Sequence, residues 1–411
     1  MTQTAGLTEN MRQVEPDAIE SELDNAWRAE NAAVLAAGGH AGTRSSVLTL
    51  VAYATNETSA ERTLRAIRRL TTQHPSRSII VNPVAQTPTG RPLEAFINTR
   101  AITANGATGY GEEVILCATQ SASQHLAGSI LPLIVSGLPS FLWWEGVPPW
   151  NTDIFEATLD GFDRALFDTA EMPQVEQNLL ALEDLVRRKK TSVAVSDFNF
   201  TRLSPWRELI AQFFDPEEHR VYLNGIERVT IEYAAAVEDG PVNTAQAYLF
   251  AGWLASRLGW RPVGGTAERL IDGQREHTLL DTSGRKITLE LNARYGAPLG
   301  SWLNIAAESE SAQMQRPLVG PGALMSVYLR AQANGAVASF AAAREADLRH
   351  ASTHCQVPQG AIPSQTVHLP TLGEQSSLGD ELLQLGHDPL FENALAAIVP
   401  ALDPGLRRVR R

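Results

Sequence analysis

Val47-Leu48-Thr49-Leu50-Val51-Ala52-Tyr53, then Thr58-Ser59-Ala60-Glu61, then Arg77-Ser78-Ile79-Ile80-Val81 beyond His74-Pro75: these pieces, in this order, decide the fold. The first is a near-continuous apolar run, the pattern of a strand covered on both faces. Thr58 to Glu61 is a capping-box pattern that opens a helix. Ala60, Leu64, Ile67 and Leu70 recur at helical spacing, with Arg62, Arg65, Arg68 and Arg69 on the opposing side. The helix stops before His74-Pro75 and a second apolar strand follows, which makes a βαβ unit.

The same rhythm continues outward. Glu113 to Ala118 reads as a strand, Ser123 to Val135 as a helix with Leu126, Ile130, Leu133 and Ile134 on one side, and Phe141 to Trp144 as the next strand. Val175, Leu179, Leu182 and Val186 stripe a helix that ends in Arg187-Arg188-Lys189-Lys190, basic residues that complement its carboxyl end. Thr191 to Ser196 is a strand. Ser204-Pro205 then supplies an N-cap and a first-turn proline for a helix through Trp206, Leu209, Ile210 and Phe213, ended by Asp215-Pro216. Alternation over residues 46–216 implies an α/β domain, a mostly parallel sheet covered by helices. Residues 1–45 precede it as a helix, Asp17 to Leu35, and a small-residue linker, Ala36 to Gly42.

After Pro216 the pattern changes. Val229 to Tyr233 and Ile287 to Leu291 alternate with period two, the latter after the turn Asp281-Thr282-Ser283-Gly284, as half-exposed antiparallel strands do. Asn243 to Leu258 reads as a helix capped by Gly259. Trp302 to Ala307, Ala323 to Arg330 and Ala336 to Ala342 are further strand candidates, so residues 217–357 are expected to form an α+β domain with antiparallel strands. Residues 358–411 read as a loop-rich tail with a final helix, Phe391 to Ile398.

The 411 residues carry a formal charge of −12, and lysine occurs only at Lys189, Lys190 and Lys286. An acidic chain is a poor match for nucleic acid, whose phosphates need a basic surface. The tail arginines Arg407, Arg408, Arg410 and Arg411 read as a frayed, solvated terminus. No apolar stretch approaches the ~20 residues that cross a bilayer, and the acidic start does not resemble a secretory signal, so a cytoplasmic protein is expected. Cys117 and Cys355 are the only cysteines, which excludes a disulfide framework and leaves one reversible bridge as a redox candidate.

Leu138-Pro139-Ser140-Phe141-Leu142-Trp143-Trp144-Glu145-Gly146, closed by Trp150, gathers three of the eight tryptophans within eight residues. In a strand Trp143 and Trp144 must point to opposite faces. One of them is then available for a groove or an interface, where tryptophan is enriched among binding hot spots; the plain alternative is a second core layer.

Catalytic and cofactor signatures are missing. No G-x-G-x-x-G follows a strand, and there is no phosphate-binding G-K-[ST], G-x-S-x-G or H-E-x-x-H. Gly38-Gly39 lies ahead of the first strand, where no pyrophosphate turn can form. No cofactor is expected. His350, His354 and Cys355, with His368 beyond them, are the nearest approach to a metal set, through an i, i+4 histidine pair on a helix. Without a second close ligand pair they read as surface histidines, and no metal is expected. His74-Pro75-Ser76-Arg77 offers a hydroxyl and a guanidinium to an anion; its plain reading is a helix stop with a locally paired arginine.

Three separated motifs carry a family resemblance: His74-Pro75-Ser76-Arg77 running to Val81; Leu131-Pro132-Leu133 into Leu138-Pro139 and Phe141 to Trp144; and Asp197-Phe198-Asn199-Phe200-Thr201-Arg202-Leu203-Ser204-Pro205-Trp206-Arg207. Over about residues 45 to 310 the chain resembles the OpcA family, glucose-6-phosphate dehydrogenase assembly proteins of cyanobacteria and actinobacteria. The resemblance implies a non-catalytic factor of the oxidative pentose phosphate pathway that binds the dehydrogenase and favours its active oligomer as an allosteric activator. Trp143, Trp144, Glu145, Trp150, Trp206 and Arg207 are the candidate partner contacts. His74, Ser76, Arg77 and Arg202 are the candidate anion-binding residues. The family's cyanobacterial branch is associated with thioredoxin-linked control, for which only Cys117 and Cys355 are present here.

Two other readings stand beside it. In a sugar-phosphate isomerase or lactonase, His74, Arg77 and Arg202 would hold the phosphate while Asp197 moves a proton. In a sugar-phosphate sensor, the α/β crevice would bind the ligand and report it to the dehydrogenase.

Overall fold

The computed structural model describes residues 6–38, 43–44, 46–70, 73–104, 107–123, 126–189, 191–236, 242–263, 274–299, 318–358, 360–369 and 377–402. The strand expected at Trp302 to Ala307, most of the linker and the tail arginines lie outside them. The chain divides into two compact units, Met1–Phe167 with Lys189–Ser196 and Leu378–His387, and Asp168–Arg188 with Asp197–Ser377 and Asp388–Arg411. No described helix is long and apolar enough to cross a membrane.

The first unit opens with β1 (Arg12–Val14), α1 (Ile19–Ala36) and β2 (Thr43–Arg44), then runs β3 (Leu48–Tyr53), α2 (Glu57–Leu70), β4 (Ser76–Val84), β5 (Leu93–Ala104) and β6 (Ala107–Thr119). Short helices α3 (Gln120–Ser123) and α4 (Ala127–Ile130) lead to β7 (Ser140–Trp144), α5 (Asp153–Leu159) and β8 (Arg164–Phe167). After α6 (Val175–Lys189), which belongs to the second unit as far as Arg188, the chain returns as β9 (Ala194–Asp197). The sheet order is β1-β5-β6-β4-β3-β7-β8-β9, with β2 beside β6. Pairs from β6 through β4, β3 and β7 to β8 are parallel, whereas β5 and β1 extend the edge antiparallel. Every residue of β3 is buried, as a doubly covered strand requires.

Two local expectations need correction. The single helix expected over Ser123 to Val135 is broken into α3, α4 and a 3₁₀ turn at Leu131–Leu133, where Pro132 supplies no N–H to continue it. The start of α2 is capped by Asn56, whose Oδ1 accepts the Ser59 N–H at 3.0 Å, ahead of the Thr58 expected from the pattern.

In the second unit α7 (Phe198–Thr201), α8 (Ser204–Gln212) and α9 (Glu217–Arg220) precede β10 (Ile226–Ala235), α10 (Ala245–Leu258), β11 (Arg261–Pro262), β12 (Gln274–Leu280) and β13 (Lys286–Tyr295). The chain continues through β14 (Leu324–Ala333), β15 (Ala336–Arg344), β16 (His350–Val357), β17 (Gly360–Ile362) and β18 (Thr366–His368), passes through α11 (Ser377–Leu382), which from Leu378 on belongs to the first unit, and ends in α12 (Pro389–Ile398). Ser204 is the first residue of α8, not its cap, and its hydroxyl bonds back to the Thr201 carbonyl at 2.9 Å.

The second sheet is ordered β11-β12-β13-β10-β14-β15-β16-β17, with β18 also on β16. Its strands are mostly antiparallel, as expected, but the two strands read from their alternation, β10 and β13, pair parallel. A parallel pair needs a crossover, and α10 lies on the path between them. That helix is buried almost all round, and Gly259 at φ +70° closes it in the left-handed conformation. At Gly252 a Cβ would meet the Ala394 carbonyl oxygen at 2.1 Å, so the glycine lets α10 and α12 come into close backbone contact.

Candidate functional site

In the first sheet the parallel strands run outward from β3 through β4 to β6, and the chain then returns to build the other side of β3 through β7, β8 and β9. Open α/β sheets bind ligands where the order reverses, beyond the carboxyl ends of the strands. Here that point is the end of β3 and β7, at Tyr53 and Trp144.

The crevice is filled by the chain's own side chains. Tyr53 and Trp144 are register partners whose rings stack at 4.4 Å and 12°. Phe155 meets Trp144 edge-on at 5.0 Å, and Trp150 lies 5.8 Å from Phe155 and 5.6 Å from Phe167. Such edge and offset pairs are each worth about 0.5–1.5 kcal/mol beyond their buried area. Burial pushes the Tyr53 phenol well above its usual range, against the opposing hydrogen bond with Thr158.

Glu145 completes the closure. The buried carboxylate accepts the hydroxyls of Ser59 and Thr63 in the first turns of α2, and its backbone N–H donates to the Tyr53 carbonyl at 3.0 Å. Gly146 turns away at φ +67°, where a Cβ would stand 2.7 Å from the Thr55 methyl. A dinucleotide fold keeps this helix start for a pyrophosphate, reached by a glycine-rich turn. Here the turn is Ala54-Thr55-Asn56, and the hydroxyls of Ser59 and Thr63 near the helix start are already taken by Glu145.

The candidate contact residues separate by exposure. Trp143 points into the core and Trp144, the next residue, is half-buried at the crevice, so the pair does take opposite faces. Trp150 is half-buried as well, and Val147 and Ile154, near it in the sequence, are 44% and 40% exposed. Trp206 is only 2% exposed, with the Arg344 guanidinium 5.8 Å from its ring, and it offers nothing to a partner. Arg207 lies 4.0 Å over Phe200 and donates to Ser204 at 2.7 Å; burial lowers its pKa against the pull of Asp388 and Glu208.

The anion-binding set does not assemble. Arg77 is buried, with Nε 2.7 Å from Glu112, Nη1 2.9 Å from the Leu133 carbonyl, and a further bond to Glu20. Burial works against its charge, and the Glu112 and Glu20 carboxylates more than restore it, leaving the pKa raised. Ser76 pairs with Ser78 at 2.9 Å, and half-buried His74 donates its backbone N–H to Leu70 at 2.7 Å. Arg202 belongs to the other unit, where it grips Asp168 in a bidentate pair at 2.8 and 2.7 Å.

Asp197 accepts the N–H groups of Thr169 and Asn199, both at 3.0 Å, and the Thr169 hydroxyl at 2.6 Å. Burial, with Asp168 nearby, pushes its pKa up to about 7 despite those bonds. The group can therefore hold a proton near neutrality, but at 1% exposure it has no access to a substrate.

Cys117 and Cys355 are both buried and free, one in each unit. Burial pushes the Cys117 thiol up to about 11 and raises Cys355 as well, so neither has the thiolate character that reactive cysteines need. The sequence reading missed Tyr53, Phe155, Phe167, Ser59 and Thr63. The aromatic residue closing the first apolar strand was the available signal for Tyr53.

The family model described as glucose-6-phosphate dehydrogenase subunit N-terminal domain matches residues 67–184, and the corresponding C-terminal domain model matches residues 193–395. A relative from Synechocystis sp., described as a putative OxPP cycle protein OpcA, is 28% identical over 295 residues, covering 71% of this chain and 56% of the relative. One from Nostoc punctiforme, with the same description, is 40% identical over 152 residues, 37% of this chain and 31% of the relative. The chain thus spans about half or less of these relatives. Among solved structures, levoglucosan dehydrogenase in complex with NADH is 10% identical with a TM-score of 0.45, covering 86% of this chain and 95% of that one. The 3-ketoreductase KijD10 from Actinomadura kijaniata, with NADP and TDP-benzene, is 10% identical with a TM-score of 0.44, covering 86% and 96%.

Proposed function

The chain belongs to the OpcA family, matching both domains of the glucose-6-phosphate dehydrogenase subunit, and on that premise we propose that it binds the dehydrogenase as a non-catalytic assembly factor and activator. The observation that carries this reading is the filled crevice. Tyr53 stacks on Trp144 and Glu145 sits on Ser59 and Thr63, so the position that would hold a cofactor is occupied by structure. A polypeptide with that layout has binding energy to offer another protein and no open crevice for a nucleotide at this point of the sheet.

Activation then follows from differential affinity. If the competent state of the dehydrogenase is bound more tightly than the idle one, the population shifts by that difference and by no more. The contact surface proposed is Trp150 and Trp144 with Val147 and Ile154. It combines aromatic area with an exposed apolar rim, the composition of interface hot spots.

The purified chain should reduce no NADP with glucose 6-phosphate when alone. Mixed with purified dehydrogenase, it should raise the rate and the proportion of higher oligomer in sedimentation. Trp150→Ala with Val147→Ser should weaken that stimulation by about 2 kcal/mol in half-maximal concentration, a typical hot-spot loss. Turnover by the chain alone, or stimulation unchanged in the folded double variant, would end this reading.

A further inference from the structure

The histidines that the function leaves unused do not pair as their sequence spacing suggests. His350 and His354 lie on a strand, not a helix, about 13 Å apart at ~3.3 Å per residue, and the Cys355 side chain is buried on the opposite face. The partner of His350 is His368, directly opposite in the antiparallel β16–β18 register. Their ring centroids are 5.6 Å apart, inclined at 71°. Two imidazoles on one tetrahedral zinc ion, at Zn–N distances of about 2.0–2.1 Å, place their centroids roughly 5 Å apart.

One ring is already oriented. His350 Nδ1 lies 2.5 Å from Asp347 Oδ2, while Oδ1 of the same carboxylate accepts the N–H groups of Arg349 at 3.0 Å and His350 at 3.1 Å. With Nδ1–H donating to the carboxylate, Nε2 carries the lone pair. A carboxylate behind the imidazole is the arrangement that fixes metal-binding histidines. Both histidines are exposed or nearly so, and an ion from solvent reaches them.

We propose that His350 and His368 form a two-imidazole zinc site on the outer face of the second sheet, with Asp347 as a positioning residue and water completing the coordination. Among the described residues no group of three or more His, Cys, Asp or Glu side chains is placed to hold a metal. The site is therefore open and weaker than a four-ligand structural centre. It cross-links β18 to β16, so zinc should raise the thermal midpoint of the protein by mass action.

The test is calorimetric titration of the tag-free full chain with Zn²⁺ in a non-coordinating buffer, with Co²⁺ absorbance reporting a tetrahedral centre. The expected result is one ion per chain, affinity reduced at least tenfold in His350→Ala and in His368→Ala, and about tenfold in Asp347→Asn. Because these side chains lie at the surface, circular dichroism should be unchanged in all three variants. No zinc uptake by the wild type, or equal uptake by the double variant His350→Ala/His368→Ala, overturns the proposal.

Discussion

The two sheets treat charge in opposite ways. Inner strands of the first, such as β3, β8 and β9, are buried throughout, and the carboxylates and guanidiniums beneath that cover are paired: Arg77 with Glu112, Glu113 with Arg68 of α2, Arg164 with Glu381. Strands of the second alternate, and their outward rows pair in solvent, as Arg228 with Glu290 and Arg330 with Glu227. The lesson is that an ion pair has no fixed worth. Removing one member of a buried pair strands an unsolvated charge, which costs about 3–5 kcal/mol, whereas an exposed pair is worth about 0–1 kcal/mol.

Arg164 is the strongest place to break that contrast. It is fully buried, 2.7 Å from Glu381 and 2.9 Å from Gln384, and also bonds to Ser196 and the Gly386 carbonyl. Arg164→Met should destabilise by about 3–5 kcal/mol in urea melts, because Glu381 stays buried without its cation. The double variant Arg164→Met/Glu381→Leu should recover most of the loss. Equal losses in single and double variants would mean that the pair matters through packing and not through charge.

Much of this contrast is legible in the sequence. Val47 to Tyr53 reads as continuous burial and Val229 to Tyr233 as alternation; the strand Leu48–Tyr53 is buried throughout, with Val47 exposed ahead of it, and Val229 to Tyr233 alternates. The first sheet's antiparallel edge was missed although Asn105-Gly106, a hairpin dipeptide, stands between β5 and β6. The pairing of β10 with β13 was not legible, because alternation states which face a residue takes and not which strand lies beside it. The opposed faces of Trp143 and Trp144 follow from period two. The closure by Glu145 does not, since its hydroxyl partners lie 86 and 82 residues away, and Arg164 finds Glu381 across 217.

Asp197 sharpens the contrast, being a buried carboxylate with N–H and hydroxyl donors but no cation among those bonds. Its folded pKa of about 7 stands above the ordinary 3.8, through burial and Asp168. The stability it contributes is fully present below pH ~4 and is lost as pH rises through about 7, and each tenfold change in proton affinity on folding is worth about 1.4 kcal/mol. Asp197→Asn keeps the acceptor for both N–H groups and cannot ionise. Its stability relative to wild type should therefore rise by a few kcal/mol between pH 5 and pH 8 in paired urea melts, an order-of-magnitude expectation of about 2–4 kcal/mol. Parallel pH profiles would place the proton elsewhere.

Gly252→Ala comes next in size, a steric counterpart to the charge experiments. An added methyl would meet the Ala394 carbonyl, forcing α12 off α10 at about 1–3 kcal/mol, partly offset by the ~1 kcal/mol helix preference of alanine over glycine. A net loss near 1–2 kcal/mol is expected in the melting midpoint. Stabilisation instead would show that the two helices part freely.

The smallest effect belongs to the outer face of the second sheet. Glu290 bonds Arg228 and accepts the Thr230 hydroxyl at 2.8 Å, in a cross-strand row where Arg228 is about half exposed. By geometry alone this pair resembles the Arg164–Glu381 contact, so distance would rank the two together. Solvent separates them: the half-exposed Arg228 guanidinium is rehydrated when its partner's charge goes, and salt screens what remains. Glu290→Gln keeps an acceptor for Thr230 and should change stability by less than about 1 kcal/mol, with the difference shrinking as salt is added. A loss as large as that of Arg164→Met would mean that this face is covered in the working protein, because only desolvation can give so short a surface bridge the energy of a buried one.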